Sequence, residues 1–332
     1  MIRSISLVGT TSSGKSTIGN LLSGHYILPT GVQETTVSVI EIFNNVNYCV
    51  PTLTFIHNKE ILSETPFKHD SDIRTCISNT MLSSESESIH MRLNVSMNVF
   101  NTTWQESLWN RRKLSLKRQP IPEELGYFKY FLIRDFPGFQ HEQDINRVGL
   151  IKQHLDTKGI ILFVFNAEET DSFKEDNLLQ FLFNLLCEHA YGWESVFFVL
   201  NRADAFYRDN NPEHALEQAL NNRQKRIKNI ISDIWRNTSK SKIDVEITPI
   251  SAGIAFASEM LCWYRNFLSK KDFNYLQNKI ENEAIILLPD NIRETLPRSA
   301  SYWDSIQWEQ VNQTIYYKSG LAQLINRLRV RC

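Results

Sequence analysis

The sequence has few cysteines and no paired arrangement of them. Its five cysteines are scattered over 332 residues, and none forms a C-x-x-C pair. An odd, scattered set argues against a disulfide framework and against a zinc site, and it indicates a reducing, cytoplasmic environment. The eight histidines show no H-E-x-x-H or comparable spacing. Zinc chemistry is therefore not expected.

Excess charge and long apolar runs are also lacking. The 36 basic residues are balanced by 37 acidic ones, for a formal net charge of -1. No overall attraction to nucleic acid or anionic lipid follows, although the sequence leaves a protein effector or a peripheral membrane contact open. The chain opens on a strand-like pattern, so we expect no signal peptide, and its apolar runs are too short to cross a bilayer. The 42% of hydrophobic residues predict a globular protein.

A glycine-rich segment stands near the start of the chain. Residues 9–17 read G-T-T-S-S-G-K-S-T and match the phosphate-binding pattern G-x-x-x-x-G-K-[ST] between a strand pattern and a helix pattern. Glycines let backbone N–H groups point at phosphates, Lys15 can reach the β and γ oxygens, and the Ser16 hydroxyl can bind Mg²⁺. The predicted phosphate-binding residues are Gly9, Thr11, Ser12, Ser13, Gly14, Lys15, Ser16 and Thr17.

Short apolar runs alternate with helical patterns along the chain. The runs that read as buried strands lie at 130–133, 159–165, 195–200 and 245–250, and the helical patterns between them at 178–186 and 215–235. This alternation predicts a doubly wound α/β fold, with an open, mostly parallel sheet and helices on both faces. A ligand should bind at the carboxyl ends of the strands.

Two stretches exceed what such a core needs, at about 43–126 and 253–318. The first contains a predicted helix at 72–81, a predicted strand at 91–99 and the basic segment 111–118. Neither stretch shows repeats or low complexity. We therefore expect residues 1–332 to form a single elaborated domain with two insertions, and the basic segment to be a solvated loop rather than a nucleic-acid or lipid site.

The strand pattern before residue 201 runs into Asn201-Arg202-Ala203-Asp204. This segment resembles the [NT]-K-x-D motif of GTPases. The Asp204 carboxylate can accept hydrogen bonds from N1 and N2 of guanine, whereas adenine offers neither donor there. Arg202 replaces the usual lysine, and its methylene stem and planar guanidinium can lie along the base. The expected nucleotide is therefore GTP.

Two further motifs follow strand patterns. Residues 135–138 read D-F-P-G and resemble the D-x-x-G loop of GTPases, in which Asp135 would hold Mg²⁺ through a water and the Gly138 N–H would face the γ-phosphate. Ser251 and Ala252 resemble the short S-A loop whose backbone touches the guanine oxygen. The order of these motifs along the chain is that of GTPases, so the expected α/β fold is of the P-loop GTPase type.

The segment L-P-T-G at 28–31, followed by Thr35 and Thr36, resembles the dynamin superfamily. That resemblance implies that Thr36, or else Thr35, coordinates Mg²⁺, and that Ser12 matches the serine of the dynamin phosphate loop. With Lys15 and Gly138, these residues form the expected catalytic set. The final helical pattern resembles the end of a dynamin-type GTPase domain. No long stalk follows it, so assembly into membrane-wrapping helices is not expected.

The residue after Gly138 is Phe139, where Ras-like enzymes carry the glutamine that orients water. Gln140 and His141 are alternatives within the chain. Dynamin-like proteins also have an apolar residue there and complete their site by dimerisation, so the resemblance implies a homodimer through the nucleotide face. The expected function is hydrolysis of GTP to GDP and phosphate with Mg²⁺. Two alternatives stay open: a GTP-binding interaction module with little hydrolysis, and an ATP-dependent P-loop enzyme.

Overall fold

The computed structural model describes residues 3–30, 38–44, 50–57, 60–81, 90–95, 131–139, 145–235, 243–265 and 268–331. Several residues singled out from the sequence lie outside this part of the chain, namely Thr35, Thr36, Gln140, His141 and the basic segment 111–118. Their roles stay predictions.

The described residues form nine strands and ten α-helices. The strands are β1 (Arg3–Gly9), β2 (Ile40–Asn44), β3 (Thr52–His57), β4 (Glu60–Pro66), β5 (His90–Val95), β6 (Phe131–Asp135), β7 (Ile160–Asn166), β8 (Val196–Asn201) and β9 (Ile247–Ile250). The helices are α1 (Lys15–Ser23), α2 (Asp70–Met81), α3 (Ile145–His154), α4 (Ser172–Glu188), α5 (Pro212–Ile234), α6 (Ala252–Trp263), α7 (Lys270–Glu283), α8 (Asp290–Arg293), α9 (Ser305–Lys318) and α10 (Leu321–Arg331). Strands and helices alternate along much of the chain, although β2 to β4 and α6 to α10 follow one another directly. None of the described helices is long and apolar enough to span a membrane.

All nine strands join one sheet in the order β4-β3-β5-β2-β6-β1-β7-β8-β9. The strands β6, β1, β7, β8 and β9 run parallel, β2 is antiparallel to β6 and parallel to β5, and β3 is antiparallel to both of its neighbours. The predicted mostly parallel α/β fold is therefore confirmed. The motifs at the ends of β1, β6, β8 and β9 consequently meet at one edge of the sheet.

Helices cover both faces of the sheet, as the alternating pattern predicts. One core cluster packs α1, α2, α6, α7, α9 and α10 on one face, and a second packs α3, α4 and α5 on the other. All seven residues of β7 are buried, which explains its continuous apolar run. The final helix packs onto the sheet through Leu324 and Leu328, and its Arg327 donates a hydrogen bond to the Thr248 hydroxyl of β9.

The first of the two predicted insertions extends the sheet. Its described parts form β3, β4 and β5 at one side, and Ile73 and Ile77 of α2 lie in the main core. The predicted helix and strand are found at Asp70–Met81 and His90–Val95. Strands β2, β3 and β4 are not predicted from the sequence. All seven residues of β4 are exposed, so the strand shows no buried alternation.

A buried carboxylate joins three of these strands. Strand register places Glu41 of β2 beside Arg92 of β5 and Arg134 of β6. Its oxygens accept hydrogen bonds from Arg92 Nε at 2.8 Å and from Arg134 Nε at 2.9 Å, and His90 Nε2 lies 3.3 Å away. Burial raises the pKa of Glu41, but the hydrogen bonds and charges of His90 and Arg92 outweigh it and hold the pKa far below its ordinary 4.5.

We expect Glu41→Gln to lower the free energy of unfolding at pH 7 by about 2 kcal/mol, because it removes the buried carboxylate that accepts charge-assisted hydrogen bonds from Arg92 and Arg134. A carboxyl whose pKa is depressed by folding stabilises the protein above its ordinary pKa of 4.5 and loses that contribution as the pH falls. Urea denaturation over a pH series should show the difference from wild type shrinking in acid. Glu60→Gln, at an exposed position of β4, is the control. A difference that stays constant with pH would contradict this account.

Candidate functional site

The backbone of the phosphate loop depends on its glycines. Gly14 has a φ of 90°, in the left-handed region, and a Cβ there would lie 2.1 Å from Asn201 Nδ2. A Cβ on Gly9 would lie 2.4 Å from the carbonyl oxygen of Val164 in β7. Both positions therefore exclude larger residues. The close approaches at Gly9 and Gly14 hold the loop against β7 and β8. Helix α1 begins directly after the loop, at Lys15.

The loop collects polar groups suited to an anion. The Lys15 side chain is 5% exposed, and its Nζ donates a hydrogen bond of 2.8 Å to the Thr10 carbonyl. The hydroxyls of Thr10, Thr11 and Ser13 are buried without a hydrogen-bond partner among the described residues. Buried hydroxyls are normally hydrogen-bonded. Phosphate oxygens at the N-terminus of α1 would accept from such groups, so the loop fits a phosphate chain.

Two side chains that the sequence predicts as Mg²⁺ ligands, from motifs far apart in the chain, meet beside the loop. Ser16 Oγ donates a 2.7 Å hydrogen bond to Oδ2 of Asp135, which is fully buried at the end of β6. The described residues contain no cluster of three or more histidine, cysteine or acidic side chains that could hold a metal alone. Mg²⁺ commonly binds one or two protein oxygens together with substrate phosphates. The Ser16 and Asp135 pair fits that pattern.

The D-x-x-G loop packs against the phosphate loop. The Phe139 N–H donates to the Gly9 carbonyl and the Thr11 N–H to the Phe139 carbonyl, each at 3.2 Å. A Cβ on Gly138 would lie 2.6 Å from Thr11 Cα, so this approach requires glycine. The Phe139 side chain is 1% exposed in the core, where it cannot orient a water.

Arg147 of α3 donates a hydrogen bond to the Gly138 carbonyl. This contact is not predicted from the sequence, because a single arginine belongs to no motif that would indicate its partner.

Asn201 joins two of the loops. Its Nδ2 donates to the Ser13 carbonyl at 2.9 Å, and its Oδ1 accepts from the Ala252 N–H at 3.1 Å. The side chain therefore ties the phosphate loop to the S-A loop. Ser251 is buried, and its N–H donates to the Ser319 carbonyl at 2.9 Å. These hydrogen bonds hold the phosphate loop, the end of β8 and the S-A loop in fixed positions relative to one another.

A cleft of about 350 Å³ opens between these loops. Of the residues predicted from the sequence, it brings together Ser12, Gly14, Thr17, Asn201, Arg202 and Asp204. Asp204 lies in a 3-10 helix at Ala203–Arg208. Arg202 has a φ of 62° and pairs with Glu168, which also lines the cleft. The predicted residues Ser251 and Ala252 are not among those that line the cleft, whereas the next residue, Gly253, is.

Other cleft residues were missed from the sequence, and Tyr26 is one of them. Its N–H donates to Asp70 Oδ2 at 3.0 Å, and Arg74 lies 3.8 Å from the centre of its ring. Burial raises the pKa of the Tyr26 hydroxyl despite the opposing hydrogen bond with Thr30, so the group is neutral at pH 7. These contacts anchor the segment after α1 to α2. They join residues far apart in the chain, so no local pattern indicates them.

Helix α7 supplies four more lining residues that the sequence did not indicate, namely Tyr275, Leu276, Lys279 and Glu283. This helix closes one side of the cleft.

Comparison with protein families matches residues 5–203 to the family model of the Dynamin family. Comparison with curated proteins finds no match. Two of the solved structures that match come from an oligomerised bacterial dynamin pair that provides a mechanism for the long-range sensing and tethering of membranes. The first is 13% identical, with a TM-score of 0.46, and the match covers 99% of this chain and 43% of that one. The second is 15% identical, with a TM-score of 0.44, covering 98% and 49%. This chain thus spans less than half the length of either.

The family match runs from the first strand, through the phosphate loop and the D-x-x-G loop, to the start of the N-R-x-D segment, and takes in more than half of the 332 residues. The chain belongs to the dynamin family.

Proposed function

We propose that this chain binds GTP with Mg²⁺ and hydrolyses it to GDP and phosphate as a nucleotide-dependent switch. The observation that carries the proposal is the 2.7 Å hydrogen bond between Ser16 and Asp135. It joins two side chains, 119 residues apart in the chain, that the motifs predict as ligands of Mg²⁺. Lys15, the phosphate-neutralising cation, directly precedes Ser16.

Each predicted residue has a role in this proposal. The Ser16 hydroxyl ligates Mg²⁺ directly, Asp135 holds it through a water, and Thr36 completes the set. Mg²⁺, when bound, neutralises charge on the phosphates. Lys15 binds the β and γ oxygens, the Gly138 N–H faces the γ-phosphate, and Ser12 acts from the phosphate loop.

The remaining loop residues bind through backbone N–H groups: Gly9, Thr11, Ser13, Gly14 and Thr17.

Base choice is assigned to Asp204, which lines the cleft. Its carboxylate accepts from the N1 and N2 donors of guanine, with Arg202 alongside the base and the S-A loop at the guanine oxygen. Adenine lacks both donors at that edge, which makes an ATP-dependent enzyme the weaker candidate. Competition between GTP and ATP for the purified protein tests this choice.

Because Phe139 is buried, another group must orient the water that attacks the γ-phosphate. Because this side chain lies in the core, the position after Gly138 offers no polar group to the attacking water. We propose that a second copy of the chain, docked through the nucleotide face, completes the site in the cytoplasm. The same burial favours a second candidate function, a GTP-binding interaction module with little hydrolysis. Turnover measured beside binding separates the two.

Specific GTPase activity should rise about tenfold or more with protein concentration, because an added donor in the transition state is worth at least that much. GDP with aluminium fluoride should drive dimer formation, since it favours the arrangement that stabilises phosphoryl charge. Light scattering beside turnover over a wide concentration range checks both. A strictly monomeric protein with constant, appreciable specific activity would refute the dimer and direct attention to Gln140 or His141.

A further inference from the structure

We propose that Lys279 of α7 reads the carbonyl oxygen at C6 of the purine base, with Glu283 positioning its ammonium group. This inference rests on the proposed function, because it assigns a second specificity residue to the same GTP site. It goes beyond the sequence motifs, since Lys279 belongs to none of them.

The Lys279 stem lies directly on the S-A-G loop. A Cβ added to Gly253 would lie 2.7 Å from Lys279 Cε and 3.3 Å from its Nζ. Any side chain at position 253 would therefore displace the end of Lys279. The glycine leaves space that the lysine fills, and this places the ammonium beside the loop at which the guanine oxygen is expected.

Contacts on α7 fix the lysine in that position. Leu276 and Ile280 are buried in the core and set the rotation of the helix. Glu283, one turn beyond Lys279, has its Oε2 2.5 Å from Lys279 Nζ, and both residues line the cleft. An ammonium group has three N–H donors. The contact with Glu283 takes one of them and orients the others.

The charges in the cleft match the edge of guanine. Asp204 is an acceptor for the N1 and N2 donors, and the next atom along that edge is the C6 oxygen, an acceptor that needs a donor. Arg202 and Arg208 also line the cleft, but Lys279 is the cation whose end lies against Gly253 of the S-A loop, where the guanine oxygen is expected. Lys279 is therefore the donor that we assign to this oxygen. Adenine carries an amino group at C6 and would set a donor against the ammonium, so the lysine adds to discrimination against ATP.

The test uses Lys279→Met, which keeps the length of the stem and removes the charge. Calorimetric titration with GTP and with 2-aminopurine ribonucleoside triphosphate compares guanine with a base that lacks both the C6 oxygen and the N1 hydrogen. The lost N1 donor faces Asp204 and weakens binding to the variant and to the wild type equally, so the ratio between the two proteins reports on the C6 oxygen. Loss of a charge-assisted hydrogen bond should weaken GTP about tenfold. The 2-aminopurine nucleotide should bind the variant and wild type alike. Glu283→Gln should weaken GTP in the same base-dependent way, to a smaller extent.

Lys271→Met, at an exposed position of the same helix, is the matched control and should change neither affinity. Unchanged GTP affinity in Lys279→Met, or equal weakening of both nucleotides, would overturn the assignment, because the second result shows a general packing role. Failure of the wild type to bind GTP at all would instead overturn the proposed function. The two failures are therefore distinguishable.

Discussion

Replacing Lys15 by alanine should weaken GTP binding by about 3 kcal/mol, roughly 150-fold, because it removes a nearly buried cation from the phosphates it neutralises. The residue is 5% exposed, and its Nζ donates a hydrogen bond of 2.8 Å to the Thr10 carbonyl within the phosphate loop. Folding should survive, since the core clusters do not include this residue. Calorimetric titration with GTP and Mg²⁺ measures the loss, and circular dichroism checks the fold.

Lys225→Ala, at an exposed position of α5, is the control that removes the same charge away from the cleft. It should bind GTP as the wild type does. Ser16→Asn should act through the metal instead, so its effect on GTP affinity should depend on Mg²⁺ concentration. Unchanged GTP affinity in Lys15→Ala would show that the glycine-rich loop does not bind the phosphates.

The fold could be predicted where the decisive pattern is local. Residues 159–165 form a continuous apolar run because every residue of β7 is buried on both faces of a parallel sheet. The phosphate loop was recognisable for a similar reason, since its glycines, lysine and serine follow one another in the chain. Four motifs each placed after a strand then predicted where the site lies, because carboxyl ends of parallel strands share one edge.

The rest depends on pairings between distant segments. Glu41 reads as a surface residue in a short strand, and only the register with β5 and β6 reveals that two arginines surround it. Asn201 belongs to the predicted guanine-recognition segment and lines the cleft, but that its amide also connects Ser13 and Ala252 is visible only in the folded chain. Lys279 reaches the cleft only because Gly253, from another helix, leaves it room. Such contacts are tertiary and carry no spacing that a sequence pattern could show.

Changing Asp204 to asparagine should shift the preference of the cleft from GTP to xanthosine triphosphate. Loss of the paired carboxylate contact should weaken GTP by about 3 kcal/mol, roughly 150-fold, because the guanine donors lose a charged acceptor. Xanthosine triphosphate should gain in affinity, since its C2 carbonyl can accept from the new amide N–H. The position supports this expectation: Asp204 lines the same cleft as Ser12 and Gly14 of the phosphate loop.

Competition of GTP, xanthosine triphosphate and ATP against a fluorescent nucleotide, measured for wild type and Asp204→Asn, checks the exchange. Asp233→Asn, at an exposed position of α5, makes the same chemical change outside the cleft and should keep the wild-type order. A general loss of affinity for all three nucleotides would indicate damage to the loop rather than a change in base reading. An unchanged preference for GTP would show that the base is read elsewhere, since a carboxylate that accepts from N1 and N2 cannot be replaced by an amide without cost.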